Sequence, residues 1–158
     1  MRLALGSDEA NDLTRFLIEE LGKRGHSIIL RGPIDAQRAD PDVDWPLTSS
    51  RVAELVARGE VDEGIVCCWT GTGASIAANK VPGVRAALCH DAETARGARI
   101  WNHANVLALS LRATSIPIAK EILNAWFNTP VDEGEAQSAW NRQQIERVTE
   151  IEKRYARL

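Results

Sequence analysis

The sequence has little cysteine, three residues in 158, and two of them, Cys67 and Cys68, are adjacent, with Cys89 standing alone. An odd count with a neighbouring pair is a poor disulfide framework and fits a reducing compartment. No apolar run approaches the roughly 20 residues that a membrane-spanning helix needs, so the protein is expected to be soluble. The apolar stretch around Leu3 to Leu5 is too short for a secretory signal core, and Asp8 and Glu9 follow at once. The expected location is the cytoplasm. A strong excess of one charge is also missing: 19 Lys and Arg against 22 Asp and Glu give a net charge of -3. Nucleic acid and anionic membrane therefore have no electrostatic claim on the chain, and an anionic ligand must be held locally. Internal repeats and low-complexity segments are absent.

Two nucleotide motifs fail as well. The dinucleotide fingerprint needs a third glycine where Ile76 stands, and the Walker loop needs a Gly-Lys-Ser/Thr ending that the chain lacks. A nicotinamide-dependent oxidoreductase is disfavoured on that ground. A metal site lacks its donors: Cys67 and Cys68 point to opposite faces of a strand, as do Cys89 and His90, so four ligands cannot converge.

What is present is a globular composition, 44% hydrophobic and 26% charged, at a length that suits one domain spanning 1–158. Strands are predicted at Arg2 to Gly6, Ser27 to Leu30, Gly64 to Cys68, Arg85 to Cys89 and Asn105 to Leu109. Between and after them, helices are predicted at Asn11 to Arg24, from Pro46 to Gly59, Ala74 to Asn79, Ala92 to Ile100 and Ile116 to Phe127. Gly25 stops the first helix, and Arg31 to Trp45 reads as a polar loop. Strand alternating with helix predicts a Rossmann-like three-layer α/β sandwich with a five-stranded parallel sheet, because parallel neighbours need a crossover. Ligands of such sheets sit beyond the carboxyl ends of the strands. That rim carries Ser7 to Glu9, Cys68 to Gly73 and His90 to Asp91. A polar C-terminal helix over about 135–158 carries Trp140 and a thin stripe of Ile145, Val148, Ile151 and Tyr155. The stripe packs either on a partner subunit or on its own domain.

The most informative segment is Cys68-Trp69-Thr70-Gly71-Thr72-Gly73-Ala74-Ser75-Ile76, which leaves a buried strand and enters a helix. Glycines two apart allow a tight turn whose backbone N–H groups suit an oxyanion, and they also suit a plain strand-to-helix turn. Cys68 stands where a helix N-terminus favours the thiolate, as base or nucleophile; the alternative is a small buried hydrophobe, as Cys67 is read. Asp8 and Glu9 either orient sugar hydroxyls or cap the next helix. Asn102, His103 and Asn105 form a short polar interval that serves a turn as readily as catalysis. Lys80 and Arg85 read as solvated turn charges, and His26 as surface.

Gly6-Ser7-Asp8-Glu9-Ala10, the run from Cys68 through Ala87 and Asn102-His103-Ala104-Asn105-Val106-Leu107 together resemble the type B ribose-5-phosphate isomerase and galactose-6-phosphate isomerase family. The resemblance covers Met1 to about Phe127. It implies a Rossmann-like fold, a homodimer or dimer of dimers with shared active sites and the C-terminal helix at the interface, and no metal or organic cofactor. It implies an aldose–ketose isomerase acting on a small sugar phosphate through an enediol. Cys68 matches the base, while Thr70 and Gly71, Thr72 and Gly73 match the oxyanion site. Asp8, Ser75 and Asn102 match positions at the substrate. Three departures accompany it. Glu9 stands where the family usually has a phosphate-binding histidine, and Trp101 stands where it has a ring-opening histidine. Of the C-terminal arginines that grip phosphate, only Arg142 is near. An acyclic substrate such as a tetrose phosphate would need no ring opening, and Trp45, Trp69 and Trp101 near the cleft would narrow it; a pentose phosphate is the other candidate. The competing reading is a non-catalytic sugar-phosphate or sugar-acid binding protein on the same fold.

Overall fold

The computed structural model describes residues 1–37, 41 and 43–155. The elements alternate from the first residue. They are β1 (Arg2–Ser7), α1 (Asp12–Lys23), β2 (Ser27–Arg31), α2 (Trp45–Ala57), β3 (Glu63–Cys68), α3 (Thr72–Ala78), β4 (Ala86–Leu88), α4 (Ala92–Asn102), β5 (Val106–Ser110) and α5 (Ile116–Phe127). A 3-10 turn at Gly134–Gln137 and α6 (Ala139–Tyr155) follow. The end of the predicted C-terminal helix, 156–158, and residues 38–40 and 42 of the polar loop lie outside the described residues.

The five strands form one parallel sheet in the order β2-β1-β3-β5-β4. Strand alternation sorts the core into two layers. Leu3, Leu5, Ile65, Cys67, Leu107 and Leu109 face α1, α4 and α5, whose Leu13, Leu17, Leu21, Ala95, Ile122 and Trp126 complete that cluster. Ala4, Val66, Cys68, Val106 and Ala108 face α2 and α3 through Val52, Ala53, Ala74 and Ala78. Small sheet residues on this second face let α2 and α3 approach closely, and Cys68 is buried among them.

Helix starts follow their caps. Asn11 and Thr14 form a reciprocal box at α1, so neither Asp8 nor Glu9 caps it; Asp44, Asp91 and Ser115 cap α2, α4 and α5. Helix α4 runs two residues beyond Ile100, which makes Trp101 and Asn102 helical, and His103 closes it in the left-handed region at φ 45°. Arg85 is not a solvated turn charge. Its Nε donates to the Asn102 and His103 carbonyls at 3.0 Å, and its backbone N–H donates to Asn105 Oδ1. His26 is half-buried, its ring centroid 4.7 Å from that of Phe127.

Helix α6 lies on its own chain at both ends. Asn141 donates to the Ile100 and Ala136 carbonyls, and Glu152 accepts the Gly83 N–H. Trp140, Val148, Ile151 and Tyr155 stay exposed.

Candidate active site

The order of the sheet fixes where a cleft can open. From β1 the chain steps to β2 on one side and then crosses to β3 on the other, so the strand order reverses between β1 and β3, the place where ligands of open α/β sheets sit. Ser7 is registered with Cys67. One residue on, Asp8 and Cys68 leave neighbouring strands that run about 4.8 Å apart. Both line a cavity of about 330 Å³ whose other walls are Trp45, Trp69, Thr70 and Gly73.

Beyond Cys68 the chain turns sharply. Gly71 takes φ 75°, and its N–H returns to the Cys68 carbonyl at 3.1 Å, which turns the chain into α3. A Cβ there would lie 2.6 Å from Leu88 Cδ1 and 2.9 Å from the Leu109 carbonyl carbon, so only glycine fits both the angle and the space. The turn brings the Ala74 N–H to 3.4 Å from Cys68 Sγ, a donor aimed at the sulfur from the first turn of α3. The Leu111 N–H on the same Cys68 carbonyl, and the Ser110 hydroxyl and Arg112 N–H on that of Trp69, hold the turn from the β5 side.

Cys67 and Cys68 face opposite layers, as alternation requires, and burial pushes the Cys67 thiol far up. Burial likewise pushes the Cys89 thiol up to about 12. Neither is suited to proton transfer. Asp8 is different. Its Oδ1 is buried with no hydrogen-bond partner among the described residues. Burial, with Glu9 and Asp44 as nearby like charges, raises its carboxyl above the ordinary range. Asp44 went unremarked in the sequence. Its signal is its position as cap of a helix that opens at the strand ends.

Not every expected site residue is here. Glu9 is exposed and adjoins Asp8, and Thr72 is exposed in the first turn of α3. The Ser75 hydroxyl donates to the Ala86 carbonyl at the start of β4. Trp101, Asn102 and Arg142 lie at the other end of the sheet within this chain. The last turn of α4 stands where β4 and β5 begin, with the Asn102 carbonyl on Arg85. Trp101 Nε1 donates to Glu135, and within its own chain Trp101 is not among the described residues that line this cavity, as Trp45 and Trp69 are. Arg142 Nη1 donates to the Gln137 carbonyl. His103 Nε2 is 2.8 Å from the Ala136 carbonyl oxygen. Among the described residues, no group of three or more His, Cys, Asp or Glu side chains could hold a metal ion, and no helix is long and apolar enough to cross a membrane.

The family described as Ribose/Galactose Isomerase matches residues 3–144. The ribose-5-phosphate isomerase B of Escherichia coli K12 is 37% identical over 154 residues, covering 97% of each chain. The D-erythrulose-4-phosphate isomerase of Pectobacterium atrosepticum is 36% identical over 137 residues, covering 85% of this chain and 87% of that one. The structure of Clostridium thermocellum ribose-5-phosphate isomerase B superposes with a TM-score of 0.84 at 38% identity, over 98% of this chain and 99% of the other. The crossing between β1 and β3, the cysteine at its lip and these likenesses agree: the chain belongs to the ribose/galactose isomerase family of sugar-phosphate aldose–ketose isomerases.

Proposed function

We propose that the chain interconverts an aldose and a ketose phosphate of four or five carbons through an enediol, with Cys68 as the base that moves the carbon-bound proton. The observation that carries this reading is the shared cavity. Cys68 and Asp8 end adjacent strands at its floor, an amide points at the sulfur, and Thr70 and Gly73 form the wall beside them. Such an isomerisation needs a proton moved between neighbouring carbons and another between their oxygens. Cys68 serves the first. Among the described residues, Asp8 is the one other titratable side chain lining the cavity, and its raised carboxyl suits it to hold and pass the hydroxyl proton. The negative charge that develops on oxygen meets the Thr70 hydroxyl and the amides of Thr72 and Gly73, while the Gly71 N–H closes the turn on the Cys68 carbonyl. Preorganised donors of this kind are worth about 3 kcal/mol each at such an oxygen.

Asp8, with the charges of Glu9 and Asp44 near it, disfavours phosphate on that side, and among the described residues no cation lines the cavity. The phosphate is then held by residues that a second copy of the chain brings. Trp101, Asn102 and Arg142, remote from Cys68 in their own chain, supply them in a homodimer with shared sites, and the exposed stripe of α6 belongs to that contact. Trp101 in place of a ring-opening histidine favours an acyclic tetrose phosphate, which is the chemistry named for the Pectobacterium relative. Turnover of tetrose and pentose phosphates by the wild-type chain and by Cys68→Ser tests the reading. The variant should lose several orders of magnitude in rate while staying folded, because a serine hydroxyl is far less acidic than a thiol. Equal turnover by the two proteins would refute Cys68 as base.

A further inference from the structure

We infer that Trp45 sets the length of the sugar chain this site accepts, closing the cavity over the glycine turn so that four carbons fit and five are disfavoured. The inference rests on the isomerase reading and names the residue that selects among its substrates.

The indole is fixed from two sides. Asp44 accepts the Leu47 N–H at 3.0 Å and pins the first turn of α2, where Pro46 restricts the backbone further. Trp45 is the first residue of that turn, so its backbone has little freedom to withdraw. Under the ring, Gly73 leaves the space it needs. A Cβ on Gly73 would lie 2.9 Å from Trp45 Cε3 and 3.1 Å from both Cδ2 and Cζ3. Near-equal distances to three consecutive ring carbons put the approach on the face of the ring; an edge approach would leave the two outer carbons clearly farther away. The benzo half of the indole therefore lies flat on the Gly73 backbone.

Even so clamped, Trp45 is 41% exposed and forms one wall of the cavity that holds Cys68 and Asp8. An aromatic wall that cannot move without leaving its seat selects by size. The cavity, about 330 Å³ and open to solvent on one side, is at the small end of ligand pockets, which run from about 300 to 1,000 Å³. Asp8 in its wall, with the like charges of Glu9 and Asp44 nearby, disfavours a phosphate inside it, so the hydroxylated carbons enter and the phosphate stays at the open side. One extra carbon between the reacting centre and the phosphate must then be accommodated against the indole. Packing discrimination of one carbon is worth about 10- to 200-fold.

The test is equilibrium titration of the linear four-carbon and five-carbon aldonate phosphates, unreactive mimics of the open-chain substrates, into the wild-type chain, Trp45→Phe and Trp45→Ala, with turnover of the tetrose and pentose phosphates measured alongside. The wild-type chain should prefer the four-carbon ligand by about tenfold or more. Trp45→Ala should erase that preference by binding the five-carbon ligand more tightly, and Trp45→Phe should fall between. Circular dichroism checks each fold, and Trp45→Phe carries the comparison if the alanine variant does not fold. A wild-type chain without the preference, a ratio unchanged in the variants, or a parallel loss of both ligands overturns the inference. A ratio that shifts as expected in a protein that turns over neither sugar phosphate upholds the size gate and defeats the isomerase reading.

Discussion

Arg99 Nη2 stands 2.6 Å from Glu63 Oε1, and both side chains are only 9% exposed, so a buried ion pair joins α4 to the first residue of β3. Trp126 Nε1 donates to the other carboxylate oxygen at 2.6 Å, and the guanidinium lies over the Trp126 ring, 4.9 Å from its centroid. The remaining donors reach the Ala104 and Thr129 carbonyls. Each charge is satisfied, as burial demands. Arg99→Ala should cost about 3–5 kcal/mol, because it strands the Glu63 carboxylate without its cation. Urea denaturation reads this. A loss below about 1 kcal/mol, the size of an exposed pair, would show that the network does not hold α4 to the sheet.

A second expectation concerns Asp8. Burial and its carboxylate neighbours raise its folded-state pKa above the ordinary value near 3.8, so the folded chain holds this proton more tightly than the unfolded one. The stability Asp8 contributes is therefore complete below that ordinary value and is lost as pH rises through the raised one. Asp8→Asn should be more stable than wild type at neutral pH, and the gap should close in acid, while isomerase activity falls. Thermal denaturation from pH 3 to 7 measures the gap. A variant less stable than wild type at pH 7 would contradict the assignment.

Gly71 gives a third. With φ 75° and Leu88 and Leu109 within 3 Å of any Cβ, Gly71→Ala must strain or open the turn. The strain is on the order of 1–3 kcal/mol, and the larger effect should be on catalysis, since the turn carries the amide that meets Cys68. Denaturation and turnover together check it. Wild-type activity in this variant would mean that the turn does not shape the site.

The remoteness of Asn102 from Cys68 leads to a fourth. If two copies share their sites, Cys68→Ala and Asn102→Ala homodimers are each impaired, and refolding them as a mixture creates heterodimers with one intact site. The mixture should regain activity that neither protein shows alone. Activity that stays at the mean of the two would rule out sharing.

The sheet and most helices are legible in the sequence because their signals are local. Apolar runs such as Ile65 to Cys68 mark strands buried on both faces, and Ser115 with Pro117 marks the start of α5, whose predicted span agrees with the observed one. The Cys68 to Gly73 turn is legible for the same reason, since a reversal this tight needs glycine. What escapes is long-range. Arg85 reads as a solvated charge until β4 and the end of α4 fold around it, and nothing local pairs Glu63 with Arg99 or seats Trp45 on Gly73. Motif order places Trp101 beside the cleft but does not reveal that, within one chain, it lies at the far end of the sheet from Cys68. In a parallel sheet each crossover helix runs back toward the strand starts, which carries the end of α4 away from the rim where Cys68 sits.

Proton NMR in heavy water tests the central claim most directly, with the wild-type chain and Cys68→Ala incubated separately with tetrose and pentose phosphates. The account predicts deuterium entry at the carbon beside the carbonyl, together with isomerisation, in the wild-type sample and neither in the variant. Exchange that persists undiminished in Cys68→Ala, or no exchange with any sugar phosphate in the wild-type sample, would contradict it.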